Sequence, residues 1–171
     1  MMKREKGTRI FWALVLVLWL LTIFLFSAQP AEESGKLSDG ICYKLAAFCN
    51  QMLNLGYGET SLQHAAGWLS FPVRKAAHMT EYAVLALLVY RNLSLWKRFP
   101  GRRSCSVLSW VTAVCCAGVD EIHQLFVEGR CGTVKDVCID AIGAALGLLL
   151  VGFWLRRRKR KRNGAGKKSM D

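Results

Sequence analysis

Long apolar runs alternate along the chain with short polar and charged connections. Residues 10–26 form a run without a charge, and residues 137–155 form a second run that only Asp140 interrupts. Each is close to the roughly 20 apolar residues with which a helix crosses the hydrocarbon core of a membrane. Two weaker runs, 76–90 and 104–119, reach that length only with their polar neighbours. The pattern predicts four membrane-spanning helices.

The connection between the first two predicted spans, residues 31–71, has a different pattern. Its apolar residues recur at steps of three and four, as in an amphipathic helix, until Gly56 and Gly58 interrupt them. A second short piece, LQHAAGWLSF, follows at residues 62–71. We expect both pieces to be short interfacial helices that lie over the bundle. The apolar positions of the first piece are Leu37, Ile41, Leu45, Phe48, Met52 and Leu55.

Charge then orients these helices in the cell membrane. The net charge is +12 although the mean hydropathy is positive, and 18 of the 24 Lys and Arg residues lie before the first predicted span, between the second and third, or after the fourth. The positive-inside rule therefore predicts that both termini are cytoplasmic and that the first connection is extracellular. The predicted fold is an all-α integral membrane four-helix bundle with short interfacial helices in the first extracellular connection. Its parts are a basic N-terminus (1–9), the spanning domain (10–155) and a basic tail (156–171).

The tail begins with RRRKRKR, which in isolation would suggest a nucleic-acid patch. Because it directly follows a predicted span, we interpret it as an anchor against anionic membrane lipids and predict no nucleic-acid partner. The first apolar run could be a secretory signal peptide, but Phe26 stands where cleavage after Ala28 would require a small residue. The seven cysteines show no metal-binding spacing, and we predict no disulfide framework.

Ionisable residues within the apolar segments form rows, because residues three or four positions apart share one face of a helix. With the predicted topology, every row lies towards the outer side of the membrane. An ionised side chain at mid-bilayer costs at least about 2.5 kcal/mol, so the rows should face one another or a wet cavity. Ser27 and Gln29 could complete the ring of polar residues, but we interpret them as a polar helix end. The rows are Arg74, His78 and Glu81 in the second span, Asp120, His123 and Gln124 in the third, and Asp136 and Asp140 in the fourth.

In this order, RKAAHMTEY (74–82) and DEIHQLFVEGRCGTVKDVCIDAIGAALG (120–147) resemble the VanZ family of small bacterial membrane proteins, and FSAQP (26–30) is similar to that family's exit from its first helix. The namesake of the family is associated with resistance to the glycopeptide teicoplanin, but the resemblance implies no settled reaction. Glu128 stands where the family often has proline. The polar residues that the resemblance implies are Arg74, His78, Glu81, Tyr82, Asp120, Glu121, His123, Gln124, Arg130, Asp136 and Asp140.

Three functions fit this polar cluster. It could recognise an envelope ligand, such as a lipid-linked precursor or a lipoglycopeptide, with Arg74 and Arg130 binding phosphate or carboxylate. It could instead form a membrane enzyme in which histidines and carboxylates hold a divalent metal that activates water against a phosphate-bearing lipid. The polar rows could also merely join the helices. The sequence does not decide between binding and catalysis, and it leaves the cofactor and the oligomeric state open.

Overall fold

The computed structural model of the protein describes residues 2–96 and 101–167, and within these ranges it contains five α-helices and no strand. The all-α prediction is therefore confirmed. The predicted basic segments extend in part, at residues 1, 97–100 and 168–171, outside the described residues. The helices are α1 (Met2–Ser27), α2 (Ala31–Leu53), α3 (Glu59–Ser94), α4 (Arg102–Gln124) and α5 (Val134–Lys167).

Three of the described helices are long and apolar enough to cross a membrane: the segments Glu5–Ser27 of α1, Arg102–Gln124 of α4 and Val134–Arg157 of α5. The predicted second span, 76–90, lies in α3, which does not reach the same hydropathy. The reason is compositional, since ionisable residues stand in and beside the apolar part of α3. Length and composition thus give three candidate spans where we predicted four.

One sequence prediction about α3 is wrong. LQHAAGWLSF is not a separate short helix, because α3 continues from Glu59 through Pro72 to Ser94, over 36 residues. A proline inside a helix removes one backbone hydrogen bond and usually kinks or breaks the helix. The helix persists here because it is packed along its length: its N-terminal half buries Leu62 and Ala66, and its C-terminal half buries Leu85.

Helix α3 is central and packs against each of the other four helices. It runs antiparallel to α1, since Asn92 donates a hydrogen bond to the carbonyl of Trp12 and Trp19 donates one to the carbonyl of Glu81. It runs parallel to α5, since Gly143 lies against Met79 and, four residues later in both helices, Gly147 lies against Ala83. The buried core of these helices consists of Ile23, Tyr82, Leu85, Ala86, Val89, Ala113, Ala117 and Ala144.

Helix α2 forms a hairpin with the N-terminal half of α3. The turn uses two left-handed residues, Asn54 (φ 53°) and Gly56 (φ 70°), and Cys42 is buried in α2. The helix predicted from the apolar periodicity is confirmed, but its apolar stripe faces away from the protein. The six stripe residues, Leu37, Ile41, Leu45, Phe48, Met52 and Leu55, are each about half exposed or more.

Candidate functional site

A polar cavity lies where the C-terminal end of α4 meets the N-terminal ends of α2 and α5 and the middle of α3. Its volume is about 180 Å³. It is lined by residues of four helices, α2 to α5, and of the α4–α5 loop, so it depends on the packing of several helices. We call it the ionic cavity. Its lining residues are Ala31, Arg74, Lys75, His78, Glu121, Gln124, Gly129, Arg130, Cys131, Asp136, Ile139 and Asp140.

The functional cluster predicted from the sequence has ten members, which are the eleven polar residues above without Tyr82. Seven of them line this cavity: Arg74, His78, Glu121, Gln124, Arg130, Asp136 and Asp140. The other three lie beside it. Asp120 is buried and accepts a hydrogen bond of 3.2 Å from Gln124. Glu81 lies 3.6 Å from the Nδ1 atom of His78. The ring of His123 packs against Phe24 of α1, with 4.9 Å between ring centroids.

Lys75 is a lining residue that the sequence analysis missed. It forms an ion pair with Asp136, which joins α3 to α5 at the cavity wall, and both side chains are about one-fifth exposed. Lys75 precedes His78 by three residues, so helical periodicity could have placed it in the same row. We assigned only Arg74, its neighbour, to that row.

Glu121 links the end of α4 to the start of α5 through a hydrogen bond. Its Oε2 atom accepts a hydrogen bond of 2.7 Å from the backbone N–H of Thr133. The Thr133 hydroxyl accepts one of 3.1 Å from the N–H of Asp136, which caps the first turn of α5. The turn requires Gly132, because a Cβ there would lie 2.1 Å from the carbonyl oxygen of Glu121. The short loop therefore sets the position of Asp136 at the cavity.

Arg130 ties the α4–α5 loop to the end of α1. Its Nε atom donates a hydrogen bond of 3.1 Å to the carbonyl of Gln29, and its Nη2 atom donates one of 3.3 Å to the carbonyl of Phe26. Burial lowers the pKa of the Arg130 guanidinium below its ordinary value, and the positive charge of Arg74 lowers it further. Two N–H groups of the Arg130 guanidinium therefore join the α4–α5 loop to the end of α1.

Arg74 differs from the other basic residues of the cavity. It is half-buried, and its side chain forms no hydrogen bond or ion pair with any residue that the structure describes. It is close enough to Arg130 for the two charges to interact. Two neighbouring guanidinium groups, one of which is uncommitted, form a site suited to phosphate or carboxylate.

Four buried polar side-chain atoms in the described chain have no hydrogen-bond partner, and each comes from a different helix of the bundle. They are Ser27 Oγ of α1, Tyr82 Oη of α3, His123 Nδ1 of α4 and Asp140 Oδ1 of α5. Buried polar atoms are nearly always paired, so unpaired ones require an explanation. Asp140 lines the ionic cavity, and Tyr82 lies close enough to Asp140 for the two groups to interact electrostatically. Among the described residues, no three His, Cys, Asp or Glu side chains are arranged to hold a metal ion.

The apolar spans and their exposed hydrophobic side chains identify a helical membrane protein with an ionic cavity at one end of its bundle. The chain belongs to the VanZ/LLP1 family, whose model matches residues 11–155. The match includes all five helices except the N-terminal residues of α1 and the C-terminal residues of α5. It confirms the VanZ resemblance. No curated protein and no solved structure matches the chain.

Proposed function

We propose that this VanZ-family protein recognises the anionic head group of an amphiphilic or lipid-linked molecule of the bacterial cell envelope in its ionic cavity. The observation that carries the proposal is the uncommitted guanidinium of Arg74 beside that of Arg130. Desolvated arginine pairs bind phosphate or carboxylate through forked hydrogen bonds. The apolar surfaces of the adjacent helices would accommodate the acyl chain of the ligand.

The unpaired buried atoms support binding over a purely structural role. A polar network that only joins helices would be expected to pair its members, because an unsatisfied buried group costs about 1–3 kcal/mol. Asp140 and Tyr82 instead keep hydrogen-bonding capacity at and beside the cavity. A bound head group with hydroxyl or amide groups would use that capacity.

The proposal includes an orientation in the cell membrane, with both termini cytoplasmic and the ionic cavity towards the outside. Helix α3 would cross the membrane in addition to α1, α4 and α5, which gives four spans. Its 36 residues extend over about 54 Å, more than the roughly 30 Å hydrocarbon core, so its N-terminal half would project beyond the core together with α2. Arg74, Lys75 and His78 of α3 line the cavity, so their charges need not face lipid even though the mean hydropathy of the helix is low. The exposed stripe of α2 would then lie in the membrane interface.

Cysteine labelling tests this orientation. Asp39 of α2 and Ser94 at the end of α3 are both exposed, and each would be replaced by cysteine in a chain whose native cysteines have been removed. A membrane-impermeant maleimide applied to intact cells should label position 39 and leave position 94 unlabelled until the cells are lysed. Labelling of position 94 in intact cells would contradict the orientation.

The family resemblance makes teicoplanin the first ligand to test, because this antibiotic carries a lipid chain that vancomycin lacks. The chain would be expressed in a susceptible Gram-positive host and the minimal inhibitory concentrations of both antibiotics compared. We expect a selective rise for teicoplanin that Arg74→Gln abolishes. Arg74 is a better target than Arg130, whose bonds to the α1 carbonyls also support the fold.

The matched control is Arg103→Gln, which removes the same charge from the opposite end of the bundle. Both variants would be compared at equal protein level in the membrane. Unchanged teicoplanin tolerance on expression of the parent chain would exclude the antibiotic role. Full tolerance in Arg74→Gln would show that the ionic cavity is not the site.

A further inference from the structure

A second cavity lies at the opposite end of the bundle, between the C-terminal end of α3, the N-terminal end of α4 and the C-terminal part of α5. Its volume is about 270 Å³, and its walls are mainly apolar. It shares no residue with the ionic cavity. We call it the arginine groove. Its lining residues are Tyr90, Arg102, Arg103, Ser106, Val107, Leu148, Val151, Gly152, Leu155 and Arg156.

The charge of this groove has a single sign. Three arginines, Arg102 and Arg103 of α4 and Arg156 of α5, stand at its rim, and none of the ten described residues that line it is acidic. All three arginines are exposed, and none forms an ion pair with a described residue. Three adjacent guanidinium groups without a described acidic partner attract an anion, and the Tyr90 hydroxyl adds a hydrogen-bond donor beside them. The Ser106 hydroxyl does not add one, because it already donates a hydrogen bond to the carbonyl of Arg102.

The apolar part of the groove selects the kind of anion. Val107, Leu148 and Val151 form an apolar wall below the arginines, within helices of membrane-spanning length. Gly152 leaves additional space, since a Cβ at this position would meet no atom within 4 Å. A free phosphate ion would use the arginines but leave this wall unoccupied. A phospholipid would place its phosphate at the arginines and an acyl chain along the wall.

We propose that the arginine groove binds an anionic phospholipid from the surrounding membrane, with its head-group phosphate held by Arg102, Arg103 and Arg156. Basic pockets between membrane helices bind acidic lipid head groups through the same combination of charge and apolar contact. The groove is independent of the ionic cavity, and this lipid site does not rest on the function proposed above.

Native mass spectrometry of the full chain in detergent tests the site, with phosphatidylglycerol as the probe and phosphatidylcholine of the same acyl chains as the zwitterionic control. The parent chain should bind phosphatidylglycerol saturably and more tightly than phosphatidylcholine. Replacement of Arg102, Arg103 and Arg156 together by glutamine should weaken phosphatidylglycerol binding on the order of 100-fold, the effect of losing three basic contacts of ordinary strength. Equal binding of the two lipids would overturn the proposal.

A matched variant separates a specific site from general electrostatic attraction. Arg9, Arg91 and Arg157 stand at the same end of the bundle, contact aromatic rings and do not line the groove. Replacing these three by glutamine removes the same charge and should leave phosphatidylglycerol binding within about threefold of the parent. An equal loss in both triple variants would show non-specific attraction and contradict the site.

A third variant, Gly152→Leu, keeps every arginine and fills the apolar part of the groove. It should weaken phosphatidylglycerol binding about tenfold, the contribution of about two buried methylene groups. This variant tests whether the lipid binds in the arginine groove even if the triple arginine variant fails to fold. Unchanged binding in Gly152→Leu would place the lipid elsewhere, and displacement of the lipid by glycerol phosphate at similar concentration would show that the groove takes a free anion.

Discussion

The two ends of the helix bundle both present three Lys or Arg side chains to a cavity, but these side chains have different partners at the two ends. In the ionic cavity, Arg74, Lys75 and Arg130 face Glu121, Asp136 and Asp140, so the charges of the lining carboxylates and basic groups can balance. In the arginine groove, three arginines face no lining carboxylate. Most charged residues of the ionic cavity thus form contacts that join helices, whereas Arg74 does not. The three arginines of the groove form no ion pair with a described residue.

This difference predicts where substitutions will alter stability and where they will alter only binding. Ion pairs and charge-assisted hydrogen bonds between helices hold the ionic cavity together, so changes there should destabilise the bundle. Exposed arginines without partners contribute little to stability. Unfolding of matched variants in detergent would measure this difference in stability.

The largest effect is expected from the two α5 glycines. Gly143→Leu would force side-chain atoms into the backbone of Met79, whereas Gly152→Leu has open space. We expect Gly143→Leu to lower the free energy of unfolding by about 3 kcal/mol or more, since overpacking at a helix contact separates α3 from α5. Gly152→Leu should change it by less than about 0.5 kcal/mol. Similar stability of the two variants would contradict the close packing of α3 on α5.

An intermediate effect is expected from the Lys75–Asp136 ion pair. Lys75→Met leaves a mostly buried carboxylate without its partner and should cost about 1–3 kcal/mol, below the range for fully buried pairs because both side chains retain some exposure. The comparison is Arg102→Gln at the other end, with an expected change within about 0.5 kcal/mol. In a double-mutant cycle, Asp136→Asn should cost less in the Lys75→Met background than in the parent. Additive losses would show that the two residues do not interact.

The smallest stability difference separates the two arginines of the ionic cavity. Arg130→Gln loses two hydrogen bonds to carbonyls at the end of α1 and should cost about 1–2 kcal/mol. Arg74→Gln removes a charge that lies near another positive charge and has no hydrogen-bond partner, so stability should be nearly unchanged. If Arg74→Gln were the more destabilising variant, Arg74 would be a structural residue and a poor candidate for ligand binding.

The helices and most of the cavity residues could be predicted from the sequence because charge inside an apolar run is conspicuous. Arg74, His78, Asp136 and Asp140 stand out for this reason, and helical spacing correctly assigned them to shared faces. The small residue Gly143 lets α5 lie close to α3 at Met79. Such short-range patterns indicate which face of a helix is polar, but they do not indicate which other helix packs against that face.

What could not be predicted depends on contacts between distant segments. Arg130 bonds to carbonyls about 100 residues earlier in the chain, and no local pattern indicates that pairing. Glu81 and His123 belong to the predicted rows but lie beside the cavity, because their positions depend on how α3 and α4 are rotated in the bundle. The continuity of α3 through Pro72 was missed because packing against α2 and α5 outweighs the local cost of the proline.

The most direct test of the proposed ligand site is binding of teicoplanin to the purified chain in lipid nanodiscs, measured by calorimetric titration with vancomycin as the comparison. We predict saturable binding of teicoplanin that Arg74→Gln weakens at least about tenfold, as expected for the loss of one charge-assisted contact. The variant with Arg102, Arg103 and Arg156 replaced by glutamine should bind teicoplanin like the parent. Teicoplanin binding that depends on the arginine groove and is indifferent to Arg74, or no saturable binding at all, would contradict recognition of this amphiphile by the ionic cavity.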